Sequence, residues 1–391
     1  MKYNFDELTD RTKESSIKWD VKDSELPMWV ADMDFKTPNE VISAFKKRID
    51  KGTFGYTYID DEWYDAYIYH FKKRFNYKIK KEWLVFSTGV IPTISSAVRR
   101  LTEVANNVVL LTPIYNTFFN SIINNGRHPL TSNMIYKDGK YEIDYADLES
   151  KLSLDETTLM IFCNPHNPIG KVWTKDEMER IGALCNKYNV KVISDEIHQD
   201  LLKPGVKHIP FASVNKINSM ISITCIAPTK TFNLAGIQTS AFFSENKELK
   251  HLVERGLNTD ECAEPNVLAL IAPKVCYKKC DYWIDELNEY IDKNRCYVRE
   301  YLKENIKDVK LVEGDALYLL WLDFSDVTHN TTELRDFIRE KTGLFLSDGE
   351  EYRGNGISFL RMNIATQIER VKDGMDRLKR GIELYKAIKK D

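Results

Sequence analysis

The sequence predicts an α/β protein: a large domain with a mostly parallel sheet flanked by helices, and a smaller α/β domain beside it. Three observations lead there. At 391 residues the chain exceeds what one hydrophobic core usually organises. Its middle alternates short apolar runs with segments of helical period, the pattern of strand–helix–strand crossovers. Its C-terminal part breaks that rhythm, setting one long helical stretch against two isolated strand-like runs.

The elements follow in order. Apolar runs at 83–87, 108–111, 159–163, 190–194 and 220–227 read as strands. Between two of them, residues 174–188 put Met178, Ile181, Leu184 and Cys185 on one stripe. That helix opens with Thr174 and has Glu177 three residues on, the spacing of a capping box. A long helix is expected at 282–305, strands at 316–324 and 359–364, and a last helix from Gln367 onward. Residues 1–47 hold no sheet-forming run, so they are expected to pack with a small domain at 285–391. Residues 48–284 are then the large domain.

Composition removes several function classes. Net charge is only −3 and no basic stripe stands out, which argues against nucleic acid or an anionic membrane as partner. No run approaches the ~18 apolar residues of a membrane span. The opening MKYNFDELTDRTKESS has no apolar core of a signal peptide. Seven scattered cysteines, an odd number, suit reduced thiols, so a cytoplasmic protein is expected. Cys276 and Cys280 could share a helix face, but no second Cys or His pair completes a zinc site, and no metal is expected.

Each apolar run ends in polar or turn-forming residues: Thr88-Gly89, Thr112-Pro113, Asn164-Pro165, Asp195-Glu196 and Pro228-Thr229-Lys230. Open parallel sheets bind ligands beyond the carboxyl ends of their strands, so these ends mark one crevice. Most lysines are simply solvated. One held in a crevice beside other positive charge reaches its neutral form and can make a Schiff base, which singles out Lys230. Asp195, if buried, needs a cation, and a protonated pyridine nitrogen would serve. The alternative is a helix-capping carboxylate.

In the segment 87–92, Gly89 permits close approach of backbone to ligand and Pro92 suits a first helical turn. The free N–H groups of such a helix start fit a phosphate. Two Asn-Pro pairs within 163–170 make a rigid bend that presents uncharged amides. A Cys163–His166 nucleophile pair is discounted, because sequence neighbours in a turn rarely form one. Arg361, between Leu360 and Met362 in a strand, turns its side chain away from theirs. Its planar guanidinium can grip a carboxylate through two hydrogen bonds.

Asn167-Pro168-Ile169-Gly170, Asp195, Lys230 and Arg361, in this order, resemble the class I/II aminotransferase superfamily of fold type I over nearly the whole chain. Three longer strings, LPMWVADMDF at 26–35, SDEIHQDL at 194–201 and TFNLAG at 231–236, are similar to the MalY/PatB group of cystathionine β-lyases. The resemblance implies pyridoxal 5′-phosphate held as a Schiff base on Lys230, which also shuttles the substrate's Cα proton. It implies that Asp195 pairs with the pyridine nitrogen and that Asn167, across a cis bond to Pro168, meets the ring's phenolic oxygen. His198 takes a place where many aminotransferases have tyrosine, and Tyr115 stacks on the ring. On the same resemblance, Gly89, Val90, Ile91 and the Thr229 hydroxyl are expected to hold the phosphate, and Tyr56 to reach the phosphate of the neighbouring subunit of a homodimer. Arg361 is expected to bind the α-carboxylate of a small amino-acid substrate, with Ala31 beside it.

There are departures from the pattern. Ala227 and Gln238 stand where relatives carry phosphate-binding side chains, and Asn116 where C–S lyases often have a second tyrosine. The implied reaction is β-elimination on cystathionine or a cysteine S-conjugate, giving thiol, pyruvate and ammonia. Residue spacing does not separate this from transamination, which stays open as the alternative. The presence of Lys230 argues against a non-catalytic regulatory relative.

Overall fold

The computed structural model describes residues 2–389. Its centre is a seven-stranded sheet of β1 (Leu84–Ser87), β2 (Asn107–Thr112), β3 (His128–Asn133), β4 (Thr157–Cys163), β5 (Lys191–Asp195), β6 (Ser222–Ile226) and β7 (Ser240–Phe243). The spatial order is β1-β7-β6-β5-β4-β2-β3. Only β7 runs antiparallel to its neighbours. Helices cover both faces, which is why β4, β5 and β6 read as near-continuous apolar runs. Period-two alternation along β2 sorts its residues. Val108 and Leu110 join the cluster of Ile94, Ala97 and Val98 from helix Val90–Leu101. Val109 and Leu111 join Met178, Ile181 and Cys185 of helix Lys175–Lys187 on the other face.

That second helix carries the expected capping box. The Glu177 N–H donates to Thr174 Oγ1 at 3.2 Å, and the Thr174 N–H donates to Glu177 Oε2 at 2.9 Å. Thr174→Ala should cost about 1 kcal/mol. A lower urea midpoint with kcat unchanged is the expected result; an unchanged midpoint would show that the cap is idle.

A second sheet is antiparallel: β8 (Lys310–Leu311), β9 (Leu319–Asp323), β10 (Ser347–Asp348) and β11 (Phe359–Asn363), in the order β8-β9-β11-β10. Helices Asp281–Asn305, Thr331–Thr342 and Ile368–Ile388 accompany it. The N-terminal segment does contain a sheet element after all. Leu26–Pro27 pairs in parallel with Leu344–Phe345, and the Asn363 N–H donates to Met28 O at 2.8 Å. Two residues carry no periodic signal, so only the partner strand reveals this pairing.

Other differences have similar causes. β3 (HPLTSN) is a sheet edge, mostly half-exposed, and holds no apolar run to announce it. β7 is four residues long, below the length at which alternation is readable. The strand expected from 316 begins only at Leu319, because Leu317 takes φ 71° and breaks the extended run. Among the described residues no helix is long and apolar enough to cross a membrane.

Candidate active site

β4, β5 and β6 end side by side. Asp195 is in register with Cys163 on one side and Cys225 on the other. The Asn164 N–H donates to Asp195 O at 2.8 Å, and the Glu196 N–H to Cys225 O at 2.9 Å. The Asn167 bend, Asp195 and the Lys230 loop therefore open onto one crevice, as parallel pairing of three consecutive strand ends requires.

Lys230 Nζ donates to the Ala31 carbonyl at 2.6 Å. Burial, and then the positive charge of Arg361, lower its pKa to about 8, against the opposing pull of Asp32 and Asp195. A sizeable fraction of this amine is neutral near pH 8. Asp195 is buried, and among the described residues its carboxylate has one hydrogen-bond donor, the Ile197 N–H, at 3.1 Å. Burial raises its pKa to about 7; Glu196 adds to the rise, while the Ile197 N–H and Lys230 oppose it. A buried carboxylate this short of donors fits a cation.

Arg361 reaches across from β11. Its Nη1 donates to Asn167 Oδ1 at 3.2 Å, and Nη2 to the Trp29 carbonyl at 3.0 Å and Ser347 Oγ at 3.3 Å. Its Nε is buried without a partner among the described residues, and the Tyr352 ring lies 5.1 Å from Cζ. The guanidinium thus ties the small sheet to the Asn167 bend while keeping a free donor. The Asn167–Pro168 bond is cis. His198 is buried with Nδ1 unpartnered; burial, Lys230 and Arg361 hold it well below its ordinary pKa, so the ring is neutral.

Gly89 precedes helix Val90–Leu101, whose start has no side-chain cap, leaving the N–H groups of Val90 and Ile91 to face the crevice end of the sheet. A Cβ at Gly89 would stand 3.0 Å from the Pro92 ring, so that ring, rather than φ, also calls for glycine here. Thr229 is half-buried immediately before Lys230. Tyr115 is half-buried after β2, with its ring 5.6 Å from Phe118; burial raises the pKa values of Tyr318 and Tyr352, and Tyr115 adds to both. Ala227 is buried, and Gln238 is exposed at φ 54°.

The structure does not bring Tyr56 to this crevice: it is fully exposed, at 104% of its reference area, on an irregular segment. Cys163 and His166 make no nucleophile pair. The thiol, pushed far up by burial, donates to Pro165 O at 3.2 Å. The imidazole, lowered to about 4 by burial, bonds Pro113 O at 2.8 Å.

Several residues at the site were not singled out from sequence. The Trp29 carbonyl meets Arg361, Asp32 raises the Lys230 pKa, and the Tyr318 hydroxyl donates to Ala31 O at 3.1 Å. Trp29 and Asp32 lie inside the string 26–35, so its density was a usable signal. Tyr318 lies in an apolar run and reads as ordinary core, and Tyr352, flanked by Glu351 and Arg353, reads as a surface turn.

Residues 26–378 match the family described as aminotransferase class I and II. The chain belongs to that family. Cystathionine beta-lyase PatB of Bacillus subtilis (strain 168) is 40% identical over 383 residues, covering 96% of this chain and 99% of that protein. Cystalysin from Treponema denticola, which contains a pyridoxal 5′-phosphate cofactor, superposes with a TM-score of 0.95 at 31% identity, over 98% of this chain and 99% of that one. The PLP-bound C–S lyase from Staphylococcus hominis gives 0.91 at 31% identity, over 97% and 99%. In this aminotransferase-family chain, a donor-poor buried carboxylate, an amine of low proton affinity and an uncapped helix start share one crevice. They fit a ligand with a cationic ring, a carbonyl and a phosphate.

Proposed function

We propose that this chain is a pyridoxal 5′-phosphate-dependent C–S β-lyase acting on cystathionine or related cysteine S-conjugates, with thiol, pyruvate and ammonia as products. The observation that carries this is the placing of Lys230, at pKa about 8, beside a buried Asp195 that lacks a counter-cation. The 40% identity to a cystathionine beta-lyase supports the choice of reaction. When bound, the cofactor supplies a carbonyl that takes up an amine and a ring that accepts negative charge from Cα.

The chain's own residues do the rest. Asp195 would hold the proton of the pyridine nitrogen, so that the ring stays positive. The Asn167 amide would bond the phenolic oxygen, and neutral His198 would line the pocket without adding charge. Gly89, Val90 and Ile91 N–H groups with the Thr229 hydroxyl would bind the phosphate, and Tyr115 would cover the ring face. Lys230 Nζ, freed from the Ala31 carbonyl, would take the Cα proton as the Cβ–S bond breaks and pass it to the departing thiolate. The Lys230 pKa of about 8 makes the neutral form that accepts a proton accessible near that pH. Arg361 would exchange the Trp29 carbonyl for the substrate carboxylate beside Ala31. Tyr56, exposed on its arm, would complete the phosphate site of a partner subunit in a homodimer. Residues 48–284 would form the cofactor domain, with 1–47 joined to 285–391, an arrangement that the Leu26–Pro27 ribbon supports. A cytoplasmic setting agrees with seven unpaired cysteines.

Incubation with cystathionine alone should release pyruvate. Reaction only when a 2-oxo acid is added, with no pyruvate, would reassign the chain to transamination. Arg361→Lys keeps the charge and loses the planar fork; KM for the amino acid should rise about 10- to 100-fold, with a smaller change in kcat. Equal KM values in steady-state assays would remove Arg361 from the carboxylate.

A further inference from the structure

A short segment next to β11 faces the strand end that carries Tyr115. The Ile114 N–H donates to Tyr352 O at 2.9 Å, and Asn116 Nδ2 donates to Glu351 Oε2 at 3.1 Å. The Arg353 guanidinium lies 5.6 Å from the ring centre of Phe119, in helix Thr117–Ile123. Tyr352, between the two charged residues, turns inward against Arg361. Residues 351–353 thus form one wall of the crevice mouth, next to the group assigned to the substrate's α-carboxylate. Two opposite charges, Glu351 and Arg353, stand on its solvent side.

Arg353 holds an unusual backbone, φ 60° with ψ −163°. Only glycine enters that region without steric cost, since the Cβ of any other residue crowds its own backbone. Asn76 and Gln238, also at positive φ, have ψ of 32° and 62°, inside the ordinary left-handed basin. The neighbouring Gly354, at φ 60°, packs closely on the end of β2: a Cβ there would stand 3.1 Å from Pro113 N. An arginine is therefore kept where glycine would relax the chain, and it forms no ion pair among the described residues. Its acidic neighbours behave differently. Asp348 pairs with Arg335 at 3.1 Å, and Glu350 accepts from Thr332 Oγ1 at 3.2 Å. Glu351 has Asn116 as its donor, and partial burial together with Asp348 raises its pKa. Asn116 is also the position where the sequence departs from C–S lyases that carry a second tyrosine.

We propose that Glu351 and Arg353, as two separate opposite charges, read the far end of the substrate, selecting cysteine thioethers whose leaving group carries both an ammonium and a carboxylate. This rests on the C–S lyase reading above. With the α-carboxylate on Arg361, the sulfur-linked arm extends toward the mouth. The Arg353 fork donates to its carboxylate, and Glu351, oriented by Asn116, accepts from its ammonium. A neutral alkyl arm meets neither and leaves both charges to water.

The test compares cystathionine with S-ethylcysteine, read as the ratio of their kcat/KM values, in holoenzyme carrying Arg353→Gly or Glu351→Gln. Arg353→Gly should lower the ratio about tenfold, the worth of one good charge-assisted contact. It should also raise the melting temperature by ~2 °C as the backbone relaxes. Glu351→Gln should lower the ratio several-fold. Two results would overturn the proposal: an unchanged ratio in Arg353→Gly, or a melting temperature that falls, which would make the arginine structural. Wild-type turnover of S-ethylcysteine but not of cystathionine would also overturn it while leaving the lyase reading intact. Turnover of neither would remove that reading and the pair with it.

Discussion

Lys230→Ala should abolish turnover, by about 10³-fold or more, together with the visible absorbance of cofactor held by that amine. Loss of the proton carrier alone costs about 10²–10⁴-fold in general acid–base catalysis, and the covalent anchor is lost as well. A folding defect would not explain the result, because the sign of the stability change runs the other way. The folded-state pKa of about 8 lies below the unfolded value of 10.5. The stability that Lys230 contributes is fully present above pH 10.5 and is lost as pH falls through about 8. At pH 7 the cofactor-free variant should therefore melt no lower than the parent. Spectra and steady-state rates on the same preparation check both halves, and retention of absorbance and turnover together would sink the assignment.

Asp195→Asn is expected to act in opposite directions on function and on stability. Loss of the ring's counter-charge should cut kcat about 10²–10³-fold, the scale of breaking a buried ion pair. In the cofactor-free protein the same substitution should stabilise. Asp195 has a folded pKa of about 7 against 3.8 in a model carboxyl. Its contribution is fully present below pH 3.8 and is lost as pH rises through about 7, so the wild type bears a buried, donor-poor charge at pH 8. A gap of about three pKa units is on the order of 4 kcal/mol. Melting curves of cofactor-free wild type and variant should separate at pH 8 and converge near pH 4. Separation at both pH values, or at neither, would show that the Asp195 charge is not what destabilises.

Much of this arrangement was legible from the chain. The five apolar runs became β1, β2, β4, β5 and β6, each with boundaries within a few residues, because strands covered on both faces must be apolar throughout. Thr174 and Glu177 announced a helix start that hydrogen bonds then realise. β3 and β7 stayed hidden, the first for want of apolar residues and the second for its length. Leu26–Pro27 was unreadable because two residues have no period and acquire a strand only from Leu344–Phe345.

The chemistry divides along similar lines. Residue order by itself pointed to the amine and the carboxylate of the crevice, since parallel strands must deliver their carboxyl-terminal residues to one edge; that Arg361 meets them from the antiparallel sheet is a fact of the tertiary structure. Only the tertiary structure decided their state. The pKa values of Lys230 and Asp195, the Trp29 and Ala31 carbonyls lying against Arg361 and Lys230, and the glycine-like backbone of Arg353 come from groups far apart in sequence. Desolvation and charge–charge interaction act through space, so no local spacing encodes them.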